Sequence, residues 1–313
     1  MVHSVLGLHH VTATVDEAQS DLDFCLDLLG MRLVKKTVNF DNHHVYHFYY
    51  GTEHGAPGTI WTTFPYHGRG VRDGAPGAGQ VVTTSFSVPR SSLAFWRARL
   101  EEYGADPQAA GVRMGEEAIA MIDPSGLWFE LVGSDDARAP WTGNGVGAGQ
   151  AVRGLHSVTM VVRALGPTLD LMTGVLGYAV VGQDGARTRL AAGGNAPGHY
   201  IDVVERADAE PGVNGIGTVH HVAMAIATAD EQLRLRQELL HRGLSVTEVR
   251  DRTYFQSIYF REPGGVLFEV ATIQPGFTVD EDLKALGRSL KLPAWEEPQR
   301  AAIEAGLAPV EYR

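Results

Sequence analysis

The chain repeats one order of secondary structure four times, and this repeat constrains its fold more than any other feature of its 313 residues. The first copy opens with LHHVTATV at residues 8–15, where the alternation of side chains predicts a β-strand. An acidic helix is predicted over 16–29, and Gly30 closes it. Three extended segments then follow, at 31–37, 44–50 and 59–64. The repeating unit is therefore strand, helix and three strands.

The same order returns three more times along the chain. The later copies open on the strands VVTTSFSV from Val81, LHSVTMVV from Leu155 and VHHVAMAI from Val219. Each continues with a predicted helix, over 91–104, 166–178 and 229–243, and the fourth copy adds the strands SVTEV and YFQSIYF before GVLFEVAT. A repeat of this kind decides the architecture. It predicts an α+β fold of four tandem βαβββ modules that pair into two open β-barrels.

Two breaks in the periodic pattern divide the four modules, and the Gly-rich stretch at 66–79 is the looser connection within the first half. Residues 135–150 are rich in Gly, Ala and Asp and lack periodicity, which predicts a linker. This places two modules in an N-terminal domain, 1–134, and two in a C-terminal domain, 151–272. The repeat ends after Thr272, and residues 273–313 are predicted to form a helical tail across the outside.

Charge and hydropathy exclude several classes of partner. The net charge of -11 and the absence of a Lys/Arg-rich stripe argue against binding to a nucleic-acid backbone. No stretch reaches the roughly 18 apolar residues that a membrane span needs, and the amino terminus does not resemble a secretory signal. We therefore expect a cytoplasmic protein that has neither nucleic acid nor membrane as a partner.

Strand alternation decides which histidine of each double histidine faces inward. In the first pair His9 falls on the bulky apolar face of its strand and His10 on the small, polar face. In the second pair His220 falls on the apolar face and His221 on the small one. The bulky faces should pack under the helices, and the small faces suit the inside of an open curved sheet. His10 and His221 are therefore predicted to face one concave surface.

The last strand of each module offers a second comparison. The position four residues after a glycine that recurs in every module holds Thr62, Glu130, Asp202 and Glu269 in modules one to four. The inward position of the first strand holds His10, Thr83, Ser157 and His221 in the same order. Modules two and three supply no histidine there, so only modules one and four can build a complete site. Glu130 and Asp202 are expected to be structural or solvent-facing.

Two histidines and one carboxylate with open positions form the facial triad of non-haem Fe(II) oxygenases. The predicted ligands are His10, His221 and Glu269. Zinc and Mn(II) accept the same side chains, so the ligand set alone does not name the metal. Because the modules can share ancestry, a histidine pair retained for structure alone is the alternative interpretation.

At these residues the chain resembles the vicinal oxygen chelate superfamily, which covers glyoxalase I, extradiol ring-cleaving dioxygenases and bleomycin-resistance proteins. Several stretches are most similar to its hydroquinone ring-cleaving dioxygenases, such as 2,6-dichlorohydroquinone dioxygenase. These stretches are LHHVT, YHFYYGTEHGAPGTIWTTFP at 46–65, DRTYFQSIYFREPGGVLFEVAT at 251–272 and GFTVDEDLKALGRSL at 276–290. The resemblance implies Fe(II) held by His10, His221 and Glu269, in agreement with strand alternation.

The resemblance also implies further catalytic residues. Tyr259 would donate a hydrogen bond to a substrate oxygen or approach the metal, and Arg252 would stabilise a deprotonated phenol. His9 and His220 match histidines that lie beside the ligands in this branch. Simple alternation points both away from the metal, and a β-bulge is the feature that would bring them back.

The implied function is insertion of O₂ into a hydroquinone-type ring by an Fe(II)-dependent dioxygenase, with a small aromatic substrate and O₂ as partners. The family's habit of pairing modules implies a homodimer or a higher homo-oligomer. Two alternatives stay open, because one scaffold carries several activities. One is a glyoxalase-type isomerase, disfavoured by Thr62 where a second carboxylate is expected. The other is a protein that sequesters an aromatic ligand, disfavoured by the intact triad.

Overall fold

A computed structural model of the chain describes residues 5–312 and contains the four predicted modules. Module one comprises β1 (Leu8–Val15), α1 (Ala18–Leu22) continued by a π-helix (Asp23–Leu28), β2 (Arg32–Asn39), β3 (Asn42–Gly51) and β4 (Ile60–Pro65). Module two comprises β5 (Gln80–Pro89), α2 (Leu93–Glu102), β6 (Gln108–Arg113), β7 (Glu116–Ile122) and β8 (Trp128–Ser134).

Modules three and four repeat the order. Module three comprises β9 (Gly154–Val162), α3 (Leu165–Gly174), β10 (Ala179–Asp184), β11 (Arg187–Ala191) and β12 (Tyr200–Glu205). Module four comprises β13 (Thr218–Ile226), α4 (Ala229–His241), β14 (Arg250–Asp251), β15 (Gln256–Arg261) and β16 (Leu267–Thr272). The predicted strand at SVTEV is reduced to one bridge, between Val246 and Phe260, because the Thr247 hydroxyl accepts the bond from the Tyr259 N–H that a backbone carbonyl would take.

The sixteen strands form two eight-stranded sheets of paired modules, which confirms the predicted α+β fold. One sheet has the order β14-β15-β16-β13-β1-β4-β3-β2 and joins modules four and one. The other has the order β10-β11-β12-β9-β5-β8-β7-β6 and joins modules three and two. In each sheet the two modules meet through their first strands, which run antiparallel.

The sheets therefore cross the predicted division into 1–134 and 151–272, since each sheet takes one module from each side of it. The chain passes from one sheet to the other twice, between β4 and β5 and between β12 and β13. These two connecting segments run beside each other and form backbone bridges between Asp73 and Ile216 and between Ala75 and Val213. The predicted linker at 135–150 contains neither helix nor strand. Arg138 fastens it by donating to the carbonyls of Gly58 and Leu155.

The predicted tail is only partly helical. It contains three short 3₁₀ turns, at Phe277–Val279, Leu283–Ala285 and Glu297–Gln299, and one α-helix, α5 (Arg300–Gly306). The tail lies against module one, where Lys291 N–H donates to the Lys36 carbonyl. No helix within residues 5–312 is long and apolar enough to cross a membrane.

The helix of module one packs between the two sheets. It was predicted as one α-helix over 16–29, but Leu29 N–H bonds the Phe24 carbonyl, the spacing of a π-helix. Phe24, Cys25 and Leu26 are all buried, so apolar residues lie on every side of this segment. The sequence pattern therefore does not favour the α-helical spacing over the π-helical one. The ring of Phe24 lies 5.4 Å from that of Phe129, which joins the cores of modules one and two.

A buried carboxyl group lies in this shared core. Asp21 accepts hydrogen bonds from the Tyr50 hydroxyl at 2.6 Å and the Thr63 hydroxyl at 2.5 Å. Burial raises its pKa from 3.8 to about 6 despite these bonds, and it raises the pKa of nearby Asp123 to about 7. The folded state therefore holds a proton on Asp21 at pH values where the unfolded state has lost it.

As the pH rises, the Asp21→Asn variant should become more stable relative to the wild type. Between about pH 4 and pH 6 the wild type binds more protons when folded, so the contribution of Asp21 to the free energy of unfolding falls through this window, by about 3 kcal/mol at most. Asparagine does not titrate. Guanidinium unfolding of both proteins at pH values below 4 and near 7 checks this; a difference in free energy that is the same at both pH values would contradict it.

Candidate metal centre and active site

Matching β-bulges shape the centre of the sheet that joins modules one and four. In β1, Leu8 pairs with Met224 but His10 pairs with Ala223, so His9 is an extra residue opposite β13. In β13, Thr12 pairs with His221 but Ala13 pairs with Val219, so His220 is an extra residue opposite β1. A bulge breaks the alternation of side chains and redirects them. This is why His9 and His220 do not simply point away from His10 and His221.

Three side chains converge at the pair of bulges. The Nε2 atoms of His10 and His221 lie 3.2 Å apart, and Glu269 Oε2 lies 3.2 Å from the first and 2.8 Å from the second. All three residues are buried. Within the described part of the chain they are the only group of three His, Cys, Asp or Glu side chains with ligand atoms this close.

The extra histidines fix which ring nitrogens carry hydrogen. His9 Nδ1 lies 2.8 Å from His10 Nδ1, and His220 Nδ1 lies 2.7 Å from His221 Nδ1. Burial lowers the pKa of His9 and of His220 to about 3, so each is a neutral ring. Ligand histidines use one nitrogen for the metal and donate from the other. Donation from Nδ1 of His10 and His221 leaves both Nε2 lone pairs facing Glu269.

The charges of the three groups suit a cation. Burial lowers the pKa of His221, although Glu269 opposes the shift, so this imidazole is neutral. Burial alone would raise the pKa of Glu269, but His10 and His221 outweigh it and hold that pKa well below its usual range. Glu269 Oε2 is close to both histidines yet has no hydrogen-bond partner of proper geometry. Two lone pairs and a carboxylate that face one point fit a divalent metal.

The other oxygen of Glu269 is held by its neighbouring strand. The Ser257 hydroxyl on β15 donates a short hydrogen bond to Glu269 Oε1. The aromatic ring of Phe255 packs 4.9 Å from the ring of His9 and 5.3 Å from that of His10. The predicted ligands are thus oriented by contacts that strand alternation alone did not reveal.

Tyr259 and Arg252 lie at the same cavity as the three predicted ligands. Tyr259 pairs directly with Glu269 across β15 and β16, and its ring lies 5.7 Å from that of His221. The Arg252 Nε–H donates to the Tyr259 hydroxyl oxygen at 3.2 Å, and Asp41 pairs with Arg252 at 3.1 Å. Burial raises the pKa of Tyr259, which keeps its hydroxyl protonated and able to donate.

The cavity in front of these groups has a volume of about 380 Å³, within the range of small-molecule sites. Aromatic side chains form much of its wall, including Phe40, Tyr49, Phe64 and Tyr66. His220 also reaches this wall, whereas His9 is 3% exposed and packs behind His10. The cavity therefore offers a flat, mostly apolar molecule direct access to the predicted metal ligands.

The second sheet has bulges at the equivalent positions, but different side chains occupy the site. The equivalents of the two ligand histidines are Thr83 and Ser157. Glu130 bonds Arg113 at 2.5 Å, and Asp202 pairs with Arg187 and Arg189. Both carboxylates are buried and neutralised by arginines, so the structural role predicted for them fits and the solvent-facing one does not.

Comparison with known proteins identifies the family to which this chain belongs. The family model described as the glyoxalase/bleomycin resistance protein/dioxygenase superfamily matches residues 154–270. MhqO of Bacillus subtilis, provisionally assigned as a ring-cleaving dioxygenase, is 41% identical over all of this chain and 99% of its own length. The chain belongs to the glyoxalase/bleomycin resistance protein/dioxygenase superfamily.

Two further relatives and one more distant structure resemble the chain. A chlorohydroquinone/hydroquinone 1,2-dioxygenase of Sphingobium indicum is 37% identical, with 92% of this chain and 91% of the relative covered. A crystal structure of a provisionally assigned dioxygenase from Bacillus subtilis superposes with a TM-score of 0.95 at 40% identity, covering 100% of this chain and 99% of that one. Glyoxalase I of Zea mays matches with a TM-score of 0.63 at 14% identity over 85% of this chain and 92% of its own, which shows the shared fold alone.

Proposed function

We propose that this protein is an Fe(II)-dependent dioxygenase that cleaves a hydroquinone-type ring. The observation that carries the proposal is the convergence of His10, His221 and Glu269 at the end of an aromatic-walled cavity. The names of the relatives, ring-cleaving dioxygenase and chlorohydroquinone/hydroquinone 1,2-dioxygenase, support the same reaction class.

The proposed metal would be held by Nε2 of His10, Nε2 of His221 and Oε2 of Glu269. When bound, Fe(II) would supply open positions for a ring oxygen and for O₂ and a route for electrons between them. Zinc binds the same kinds of ligand but has no redox chemistry. A reaction with O₂ therefore favours iron or manganese.

The protein side chains have separate tasks in this proposal. Tyr259 donates its hydroxyl hydrogen to the ring oxygen, since Arg252 already occupies a lone pair of the tyrosine oxygen. The guanidinium of Arg252 favours a deprotonated ring oxygen through its charge. His9 and His220 hold the two ligand rings in one orientation through their Nδ1 atoms. The aromatic walls position the ring and exclude water.

The two alternative functions fit the site less well. A glyoxalase-type isomerase with a second carboxylate ligand would need one at Thr62, but the Thr62 hydroxyl is bonded to Thr12 and His47, each at 2.9 Å. A protein that only sequesters its ligand has no use for two lone pairs and a buried carboxylate facing one point, an arrangement that is costly without a cation.

Oxygen consumption tests the proposed function. Protein loaded anaerobically with Fe(II) is mixed with O₂ and hydroquinone, methylhydroquinone or chlorohydroquinone, with catechol for comparison and with Zn(II)-loaded protein as the redox-silent control. We expect one O₂ consumed per ring opened by the iron form only. Bound iron without oxygen uptake would favour the isomerase, and a failure to bind any metal would favour the sequestering protein.

Tyr259→Phe should keep the iron and slow turnover. The substitution removes one hydrogen bond to the substrate oxygen and leaves the ring, so we expect kcat/KM to fall by roughly tenfold with iron content unchanged. Steady-state oxygen uptake and iron analysis of the same preparation measure both quantities. Unchanged kcat/KM would remove Tyr259 from the proposed mechanism, and lost iron would give it a role in holding the metal.

A further inference from the structure

His47 lies on β3 at the wall of the cavity, and no step of the proposed function uses it. Its ring is wedged between aromatic neighbours, with centroids 4.0 Å from Tyr49 and 4.2 Å from Phe64. Its Nε2 lies 2.9 Å from the Thr62 hydroxyl. The ring is therefore held in a fixed orientation beside the space that a substrate would enter.

The internal repeat gives this contact a counterpart. Tyr49 on β3 pairs with Thr62 on β4, as Tyr259 on β15 pairs with Glu269 on β16. His47 precedes Tyr49 by two residues, as Ser257 precedes Tyr259. The contact between His47 and Thr62 is thus the module-one equivalent of the bond from Ser257 to Glu269. Module four directs its pair at the predicted metal, and in module one His47 lines the same cavity while Thr62 is buried.

Hydrogen-bond accounting assigns the hydrogens of His47. The Thr62 hydroxyl donates to the Thr12 hydroxyl oxygen, so toward His47 it can only accept. His47 Nε2 must then carry the hydrogen, and Nδ1 of a neutral ring carries a lone pair. Within residues 5–312 no group donates to this Nδ1. His47 therefore presents a fixed hydrogen-bond acceptor to the cavity.

Several other polar groups at the cavity wall are already engaged. The Asn39 amide donates to the Tyr66 hydroxyl and accepts from the Asp41 N–H. The Asp41 carboxylate pairs with Arg250 and Arg252. The Asn214 side chain accepts from Gln80. Unlike these groups, His47 Nδ1 has no partner among the hydrogen bonds of residues 5–312, so it is available to a ligand.

We infer that His47 recognises the ring hydroxyl that does not bind the metal, and so selects 1,4-dihydroxy rings. This rests on the proposed function. The oxygens of a 1,4-dihydroxy ring point in opposite directions, so one can reach the ligand strands β1, β13 and β16 while the other reaches β3. Strand β3 is two strands away from β1, a separation of about 10 Å between backbones. The adjacent oxygens of a catechol cannot reach both walls.

Two substitutions separate this role from a structural one. His47→Gln keeps an N–H for Thr62 and loses the Nδ1 acceptor, whereas His47→Asn keeps an acceptor near Nδ1 and loses the bond to Thr62. His44→Gln is the matched control, because His44 is exposed on the same strand. Equilibrium binding to Fe(II)-loaded protein without O₂ is measured for hydroquinone and for 4-methoxyphenol, whose ether oxygen has no hydrogen to donate.

We expect wild type and His44→Gln to prefer hydroquinone to 4-methoxyphenol by about tenfold, the effect of one hydrogen bond. His47→Gln should lose this preference and His47→Asn should retain most of it, with iron content unchanged in both. Equal affinity of the wild type for both ligands would overturn the inference, as would an equal loss for both ligands in His47→Gln.

The outcome is independent of turnover. If the wild type shows the preference and His47→Gln abolishes it, but the iron protein consumes no O₂, the inference stands and the proposed reaction falls. If O₂ is consumed and the preference survives in His47→Gln, the reaction stands and the inference falls.

Discussion

Glu269→Gln should give a folded protein that no longer retains its metal. Glutamine keeps the shape of the side chain, and its amide is a far weaker ligand than the carboxylate. Loss of a residue that merely orients a ligand costs 10- to 100-fold in metal affinity, so loss of a charged ligand should cost more than about 100-fold. Metal analysis after gel filtration and Fe(II) titration with a competing chelator measure this affinity.

Glu130→Gln is the matched control. Glu130 occupies the equivalent position in module two, where Arg113 neutralises it and no histidine faces it. We expect it to retain the full metal content while it loses some stability. Comparable metal loss in both variants would mean that the effect comes from disturbed sheets. Full metal retention by Glu269→Gln would refute the assignment of the ligand.

The convergence of His10, His221 and Glu269 could be predicted because the repeat and strand alternation point to the same three residues. His10 and His221 share the small face of their strands, and Glu269 follows the repeat's glycine. Modules one and four were also the only pair able to supply two histidines. The observed sheet joins these two modules, although the composition of residues 135–150 had suggested a division between neighbours. Hydrogen bonding between the first strands of two modules determines which modules share a sheet. The sequence of a linker carries no information about this pairing.

The orienting contacts were harder to predict from the sequence. A bulge adds one residue without changing the hydrophobic pattern, so alternation placed His9 and His220 away from the ligands they touch. The aromatic strand that contains His47 left two interpretations open, with its inward members lining the pocket or filling the core. The contacts of His47 and Phe255 were not predictable, because they come from strands distant in sequence. The double histidine itself was the available signal, since a bulge needs two adjacent residues opposite one.

Lys35→Met should lower the free energy of unfolding by about 3–5 kcal/mol, the cost of breaking a buried charge cluster. Lys35 is 0% exposed and pairs with Asp280 at 2.6 Å and, more closely, with Glu281 of the tail. Its ammonium also lies 4.9 Å from the Tyr254 ring. Methionine has a similar length but no charge, so Glu281 would remain buried without a cation. Urea unfolding followed by tryptophan fluorescence measures the loss.

Two further variants show whether the loss comes from the unpaired charge. Lys35→Met combined with Glu281→Gln removes both charges, and we expect it to recover at least half of the stability, because an apolar or neutral replacement of a buried pair is often close to neutral. Lys36→Met makes the same change at the next residue, which is half-buried over Tyr312, and should cost about 1 kcal/mol or less. If the double variant were no more stable than Lys35→Met, packing of the lysine stem would be what holds the tail. Since Tyr254 precedes Phe255, which packs on His9 and His10, the tail also supports the predicted metal ligands.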